Sequence, residues 1–362
     1  MSSSNKFASV HYAEYLQLDK ILSAQSLRSK ALGEPAHDEM LFIIIHQVYE
    51  LWFKQILHEL ESMMAIFDQP VIDERQIGVA SQRTERIIEI QKIMIDQIRV
   101  LETMTALDFL EFRNYLIPAS GFQSFQFRKV EVMMGLKQGQ RITYNQKPYG
   151  SVFSDSQMKE LENLEAGNSL AQLVGQWLER TPFVKLDAFP FLDQYRKAVE
   201  EMITAEREAI QETGYIGEEE KQIRLKMLDG TAEFFQQALS GEQDAPDADE
   251  TLSQSATLAA LFIQLYRDEP ILRMPYQLLT RLMDMDELFT TWRFRHAQMV
   301  KRMLGKKIGT GGSSGHDYLK NTAEKHEVFR DLHRISTLLI PRSALPPLPE
   351  EVKKTLGFYA AH

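Results

Sequence analysis

Residues 285–304 place one histidine on the apolar face of a predicted helix. Apolar side chains recur close to the helical period at Leu288, Trp292, Met299 and Met303. His296 falls on the same stripe, so its imidazole points inward. A closed zinc site usually needs four ligands, and the chain has no cysteine to supply them. One imidazole is enough as the axial ligand of a haem iron. The alternative is a core histidine that is hydrogen-bonded to a backbone carbonyl.

The ends of this helix lead to a glycine-rich stretch. Asp284 or Asp286 can cap the helix start, and Gly305 can supply a left-handed stop. Residues 309–315, which include Thr310, mix glycine with serine. The stretch lacks the Walker lysine and follows a helix instead of a strand, which disfavours a nucleotide site. A flexible linker and a loop that closes over a bound substrate both remain open.

A second histidine lies within residues 37–53. The acidic residues after His37 suit the first turn of a helix, and we interpret His37 to Glu39 as a capped start and not as a metal site. The spacing puts four side chains on one helix face: Phe42, His46, Tyr49 and Phe53. Such a face is typical either of a pocket whose histidine hydrogen-bonds a ligand or of ordinary core.

An arginine among phenylalanines follows at residues 105–113. Thr105 and Asp108 have capping-box spacing, and Phe109 and Arg113 are neighbours at i and i+4. The planar guanidinium can bind a carboxylate through two hydrogen bonds while the rings hold an apolar group. An interhelical salt bridge is the alternative.

Helical periodicity dominates the rest of the chain, and it predicts an all-α fold. We expect long helices at about 37–66, 73–104, 156–180, 187–213, 217–240, 253–268 and 285–304, and shorter ones at 12–25, 107–115, 121–136 and 318–337. Residues 341–362 begin with a proline-rich stretch and are expected to form an extended tail. No repeat of fixed period is found, which argues against a solenoid.

Composition excludes several classes of function. The chain has 362 residues, 44% of them hydrophobic, which is enough for a large core. A net charge of −10 disfavours nucleic acid and anionic membranes as partners. The absence of cysteine excludes disulfides, zinc–thiolate sites and iron–sulfur clusters. The first residues lack the apolar core of a signal peptide and the longest apolar run is short, so we expect a cytoplasmic protein with no membrane span.

Five motifs resemble those of the tryptophan 2,3-dioxygenase family. In chain order they are HDEMLFIIIHQVYELWFK, LETMTALDFLEFR, PASGFQSFQFR, WRFRH and GTGGSSG. The similarity runs from Tyr12 to about Pro341 and is weakest at about 150–285, which resembles the family's variable helical insertion. Position 109 is phenylalanine where some bacterial relatives carry tyrosine, so a phenolic hydroxyl is not expected to be essential.

The resemblance implies a role for each matching residue. His296 matches the axial ligand of a haem b iron, and His46 matches the histidine that hydrogen-bonds the indole N–H. Arg113 matches the residue that binds the substrate carboxylate, and Thr310 the residue that meets the ammonium and carboxylate groups. The other substrate-binding positions are Phe42, Phe109, Ser120 and Gly121, with Tyr12, Tyr15 and Leu16 reaching across from a neighbouring subunit.

What the resemblance implies for the whole protein is a homotetrameric, haem-dependent enzyme. It would insert O2 across the indole C2–C3 bond of L-tryptophan. Residues 1–36 would contact the neighbouring subunit, and 37–340 would form a single helical domain with haem between its helices. Two alternatives remain: a related haem enzyme that adds one oxygen atom to a tryptophan derivative, and a non-catalytic haem sensor or carrier.

Overall fold

Helices form the regular structure of the chain. The computed structural model describes residues 9–136, 153–182, 189–239, 252–305, 307 and 315–357, and in these ranges it contains no β-strand, which confirms the all-α prediction. The α-helices are α1 (Tyr12–Leu16), α2 (Leu18–Leu22), α3 (Arg28–Ala31), α4 (Glu39–Phe67), α5 (Glu74–Leu101), α6 (Ala106–Arg113), α7 (Phe125–Met134), α8 (Asp155–Ala166), α9 (Leu170–Glu179), α10 (Phe191–Glu212), α11 (Glu218–Leu239), α12 (Gln254–Leu265), α13 (Pro270–Leu304), α14 (Gly315–Lys325), α15 (Arg330–Arg334) and α16 (Glu350–Leu356). Short 3-10 helices lie at Asn114–Leu116, Gly121–Gln123, Ile335–Leu338 and Arg342–Ala344.

Three long helices, α4, α5 and α13, form the framework. Helix α13 packs along α5 and α14, and α4 packs against α5, α7 and α9. Their apolar faces meet in one core that includes Phe53, Met63, Met94 and Phe289. Among the described helices, none combines the length and apolar character needed to cross a membrane.

Local hydrogen bonds fix the starts of the helices that carry the site. The predicted capping box of α6 is confirmed, with Thr105 and Asp108 each accepting from the other's backbone N–H. Helix α4 begins differently, because Asp38 makes no capping hydrogen bond. The buried carboxylate of Glu39 instead accepts from the backbone N–H groups of Arg28 (2.7 Å) and Ser29 (2.9 Å), which ties α3 to the start of α4.

Helix α13 is much longer than predicted. We expected it to start near 285 with Asp284 or Asp286 as its cap, but it begins at Pro270. Pro270 suits the first helical position, whereas Pro275 lies inside the helix, where a proline normally signals a break. Asp286 accepts instead from the backbone N–H groups of Val328 and Phe329, both at 2.8 Å.

Other predicted helices are divided in the structure. The stretch 156–180 forms α8 and α9, because Ser169 caps a new helix start. The stretch 12–25 breaks at Gln17, whose φ of 53° is left-handed, and 318–337 breaks between α14 and α15. The C-terminal segment is not wholly extended as expected, since it contains α16, which buries Val352 and Leu356 in the core.

Candidate active site

A cavity of about 240 Å³ lies between α4, α5, α6, α7, α13 and α14. Its lining is mainly apolar and includes Tyr49, Phe53, Met299 and Met303. Seven residues predicted from the sequence line it together: Phe42, His46, Phe109, Arg113, Ser120, Gly121 and His296. The fold therefore brings side chains from α4, α6 and α13, and from the turn before α7, to one place.

His296 faces this cavity from α13. Its Nδ1 atom is buried and has no hydrogen-bond partner among the described residues, so an Nδ1 hydrogen bond to a backbone carbonyl is not observed there. Burial, together with the nearby His46, lowers the pKa of His296 to about 4. The imidazole is therefore neutral at pH 7 and keeps the lone pair that metal coordination requires.

His46 lies on α4, and its ring nitrogens have defined hydrogen-bonding roles. Its Nδ1 atom is 2.7 Å from the carbonyl oxygen of Phe42. Because a carbonyl can only accept, Nδ1 carries the proton and donates it. Burial lowers the pKa of His46, and the Phe42 carbonyl and the Glu50 carboxylate oppose this only in part. The neutral ring therefore presents Nε2 as a hydrogen-bond acceptor.

An aromatic wall stands next to His46. The ring centroids of Phe42 and His46 are 4.1 Å apart, and those of Phe42 and Phe109 are 5.6 Å apart. Phe112 lies edge-on to Phe109 at 5.4 Å, which fixes the orientation of the wall. A flat apolar group can pack against these rings while its polar edge meets His46.

The polar edge of the cavity comes from α6 and the turn that follows it. Arg113 stands in the last turn of α6, whose start the capping box holds in place. Ser120 caps the next 3-10 helix, and its backbone N–H donates to Gln123 Oε1 at 3.2 Å. Arg113, Ser120 and Gly121 can therefore meet the charged end of a ligand whose apolar part lies against Phe109.

Three predicted residues do not line this cavity, and a fourth lies outside the described residues. Tyr12 and Tyr15 lie on α1 and are each 73% exposed, and Leu16 follows them on the same short helix. None of the three lines the cavity. Their predicted contact with a neighbouring subunit is not tested by a single chain and stays a prediction. Thr310 lies outside the described residues.

A buried charge cluster at the cavity was not predicted. Glu131 on α7 accepts from Arg128 Nη1 (2.6 Å) and from Arg293 Nη2 (3.0 Å), and it lies 3.2 Å from His326 Nδ1. Each of the four side chains is less than 10% exposed. The Arg293 guanidinium also donates to the His326 carbonyl at 3.2 Å. Helix α7, helix α13 and the turn after α14 are thus joined through one carboxylate.

Burial and charge act in opposite directions on this cluster. Burial alone would raise the pKa of Glu131, but Arg128, the His326 hydrogen bond and Arg293 outweigh it and hold the pKa well below its usual range. Burial lowers the pKa of His326. The spacing of Arg128 and Glu131 at i and i+3 was the only sequence signal for the cluster, since the other members lie far along the chain.

These features define an all-helical protein whose apolar cavity combines two neutral imidazoles, an aromatic wall and an arginine. Comparison with known proteins narrows this class. The profile of the tryptophan 2,3-dioxygenase family matches residues 2–339, and the chain belongs to this family.

Curated relatives agree with this assignment over nearly their whole lengths. The chain is 47% identical to a tryptophan 2,3-dioxygenase of Alteromonas mediterranea, over 96% of this chain and 97% of the relative. It is also 47% identical to that of Bdellovibrio bacteriovorus, over 98% and 99%. The enzyme of Dictyostelium discoideum is 45% identical, over 96% of this chain and 88% of the relative.

Proposed function

We propose that the protein inserts both atoms of O2 across the indole C2–C3 bond of L-tryptophan and releases N-formyl-L-kynurenine. This is the first step of tryptophan catabolism by the kynurenine route. The relatives that match nearly the whole chain carry the corresponding name. The observation that carries the proposal is the convergence of His46, Arg113 and His296, from three helices, on one cavity.

His296 fits the axial ligand of haem b. Its ring is neutral, it faces the cavity, and its buried Nδ1 forms no hydrogen bond in the described structure. The apolar lining, with Met299 and Met303 on the same helix, suits a porphyrin face. When bound there, the ferrous haem would supply O2 binding and activation, which no side chain of the cavity can provide.

The remaining residues bind and orient the indole. The six-membered and five-membered rings would lie against Phe42 and Phe109, as aromatic groups pack at centroid distances of about 4.5–7 Å. His46 Nε2 would accept the hydrogen bond of the indole N–H, which fixes the rotation of the ring in its plane. We assign His46 an orienting role and not that of a base, because a hydrogen bond that fixes the position of the indole ring favours the reaction without removing the N–H proton.

Arg113 would select an amino acid over free indole. Its guanidinium can bind the substrate carboxylate through two parallel hydrogen bonds. Ser120 and Gly121, next to it at the cavity, and Thr310 would complete the contacts with the ammonium and carboxylate groups. An analogue without the carboxylate would lose both of these charge-assisted hydrogen bonds and should bind more weakly.

We further propose a homotetramer in which Tyr12, Tyr15 and Leu16 of one subunit reach the cavity of another. The exposed tyrosines of α1 support this, since short apolar chain ends are seldom ordered unless they dock on something. Homo-oligomers also close under point-group symmetry, which such an exchange satisfies.

The test is product analysis of the unaltered protein, together with haem retention and activity in a variant that lacks the proposed iron ligand. The haem-loaded protein is mixed with L-tryptophan, first without and then with air, and the product is identified by its ultraviolet spectrum and mass. We expect a gain of two oxygen atoms. A product with one added oxygen, or no turnover at all, would reject the dioxygenase. His296→Ala should keep its helical circular dichroism but lose haem and activity; full haem occupancy in this variant would remove His296 as the ligand.

A further inference from the structure

A second group of metal-ligating side chains lies where the turn after α14 crosses α13, away from the cavity. Asp286 belongs to α13, Glu327 to the turn and His333 to α15. One potential ligand atom from each lies within 4.8 Å of the others. None of the three lines the cavity described above.

The distances from the His333 ring nitrogens to the nearby carboxylate oxygens of Glu327 and Glu287 are too long for hydrogen bonds. His333 Nε2 is 3.9 Å from Glu327 Oε1, and His333 Nδ1 is 3.7 Å from Glu287 Oε1, whereas N–H···O hydrogen bonds end at about 3.2 Å. The Nε2 atom is buried and has no hydrogen-bond partner in the described part of the chain. A buried nitrogen in this state needs an explanation, because leaving it unsatisfied is unfavourable.

The spacing of His333 and Glu327 is close to that of two ligands of one metal ion. With bonds of about 2.0–2.2 Å at tetrahedral angles, two ligand atoms of one zinc ion lie roughly 3.3–3.6 Å apart. The gap between His333 Nε2 and Glu327 Oε1 is only slightly wider, so a small side-chain rotation would close it. The Oε1 atom of Glu327 can make this rotation toward the metal position, since Arg330 approaches the other carboxylate oxygen, Oε2, at 3.7 Å.

Asp286 is already held in place for such a role. Its Oδ2 atom accepts from two backbone N–H groups, those of Val328 and Phe329, which fixes the carboxylate plane. Burial raises the pKa of Asp286 to about 6, although these hydrogen bonds and Arg293 oppose the rise. A cation beside the buried carboxylate would favour its ionised form.

We propose that Asp286, Glu327 and His333 form a binding site for a divalent transition metal ion of the zinc type. An imidazole with carboxylates suits zinc and its neighbours, whereas calcium and magnesium prefer oxygen ligands alone. The ion joins α13, the turn and α15. Asp286 stands ten residues before His296, about 15 Å along the helix axis, so this site is separate from the haem site and does not depend on the proposed function.

The test is a zinc titration of the full-length, haem-loaded protein. The protein is treated with a chelator, desalted and titrated with zinc chloride by calorimetry. His333→Gln and Glu327→Gln remove one ligand each from partly exposed positions, so both variants should fold. His58→Gln is the matched control, because His58 is an exposed histidine on α4, a helix that contributes none of the three ligands.

We expect one zinc ion per chain, an affinity at least tenfold weaker in both ligand variants, and an unchanged affinity in His58→Gln. Zinc should raise the thermal midpoint of the unaltered protein and of the control but not of the ligand variants. Zinc K-edge absorption should show one imidazole with oxygen ligands. Absence of binding, or equal affinity in the unaltered protein and in both ligand variants, would overturn the site.

Discussion

Replacing Glu131 by glutamine would test the charge cluster that joins α7, α13 and the turn after α14. Glutamine keeps the shape of the side chain and removes its charge. Glu131 now accepts from Arg128 at 2.6 Å and from Arg293 at 3.0 Å, and only 3% of its side chain is exposed. The variant therefore takes one carboxylate from two buried guanidiniums.

The size of the effect follows from burial. Removing one partner of a buried ion pair costs about 3–5 kcal/mol, because the remaining charge stays desolvated. One carboxylate serves two arginines here, which argues for the upper part of that range. The glutamine oxygen can still accept one hydrogen bond, which returns about 1 kcal/mol. We expect the free energy of unfolding to fall by about 3–4 kcal/mol.

The pH dependence of this loss has a definite sign. Because the pKa of Glu131 is held well below its usual range, its contribution to stability is fully present above the unfolded value of about 4.3. The contribution is lost only as pH falls through the lower, folded pKa. The difference between the unaltered protein and Glu131→Gln should thus be equal at pH 8 and pH 6 and should shrink only in acid.

The assay is urea unfolding followed by circular dichroism, at one fixed chain concentration because assembly would contribute to the measured stability. Glu89→Gln is the control: Glu89 pairs with Lys92 at 2.7 Å, but both side chains are more than half exposed, so the loss should stay below about 1 kcal/mol. A loss of that small size in Glu131→Gln, or a difference that changes between pH 8 and pH 6, would refute the reasoning.

Three further predictions concern the proposed function. Arg113→Lys should lower kcat/KM for L-tryptophan roughly a hundredfold, since an ammonium cannot replace the two-bond contact of a guanidinium. Tryptamine, which has no carboxylate, should be a poor substrate of the unaltered protein, and its kcat/KM should fall little further in the variant. Equal losses for both compounds would exclude the carboxylate role. His46→Ala should retain haem by absorbance but turn over more slowly, and loss of haem would show a different role. Mixing subunits that lack residues 1–20 with Arg113→Ala subunits should restore some activity if α1 completes a neighbour's cavity; a truncated protein with unchanged kinetics would contradict that exchange.

Local spacing was enough to predict which side chains share one helix face, although it left a ligand pocket and ordinary core both open. The i and i+4 relation predicted that Phe42 and His46 lie side by side, and the capping box predicted the start of the helix that carries Arg113; all three line the cavity. These relations depend only on helical geometry and on hydrogen bonds between near neighbours, which a single sequence displays. The meeting of His46 with His296 across the fold was implied by the family resemblance and not by any spacing.

The charge cluster and the full length of α13 could not be predicted in this way. Glu131 and Arg293 are separated by 162 residues, and no local pattern indicates which distant charge will be paired on burial. For the length of α13 a local signal was present but misleading, namely Pro275. It signals a helix break by itself, but contacts of α13 with α5, α12 and α14 stabilise a helix that runs through it.

Two buried charged residues of α13, Asp286 and Arg293, also explain why the His296 side chain points into the cavity. Asp286 and Arg293 are seven residues apart, which is two helical turns, so they share one face. Asp286 holds the turn after α14 through two backbone N–H groups, and Arg293 holds the same turn through the His326 carbonyl. Burying either charge without its partner is costly, so only one rotation of α13 about its axis satisfies both. His296 follows Arg293 by three residues on the adjoining part of that face, and the same rotation turns its imidazole into the cavity.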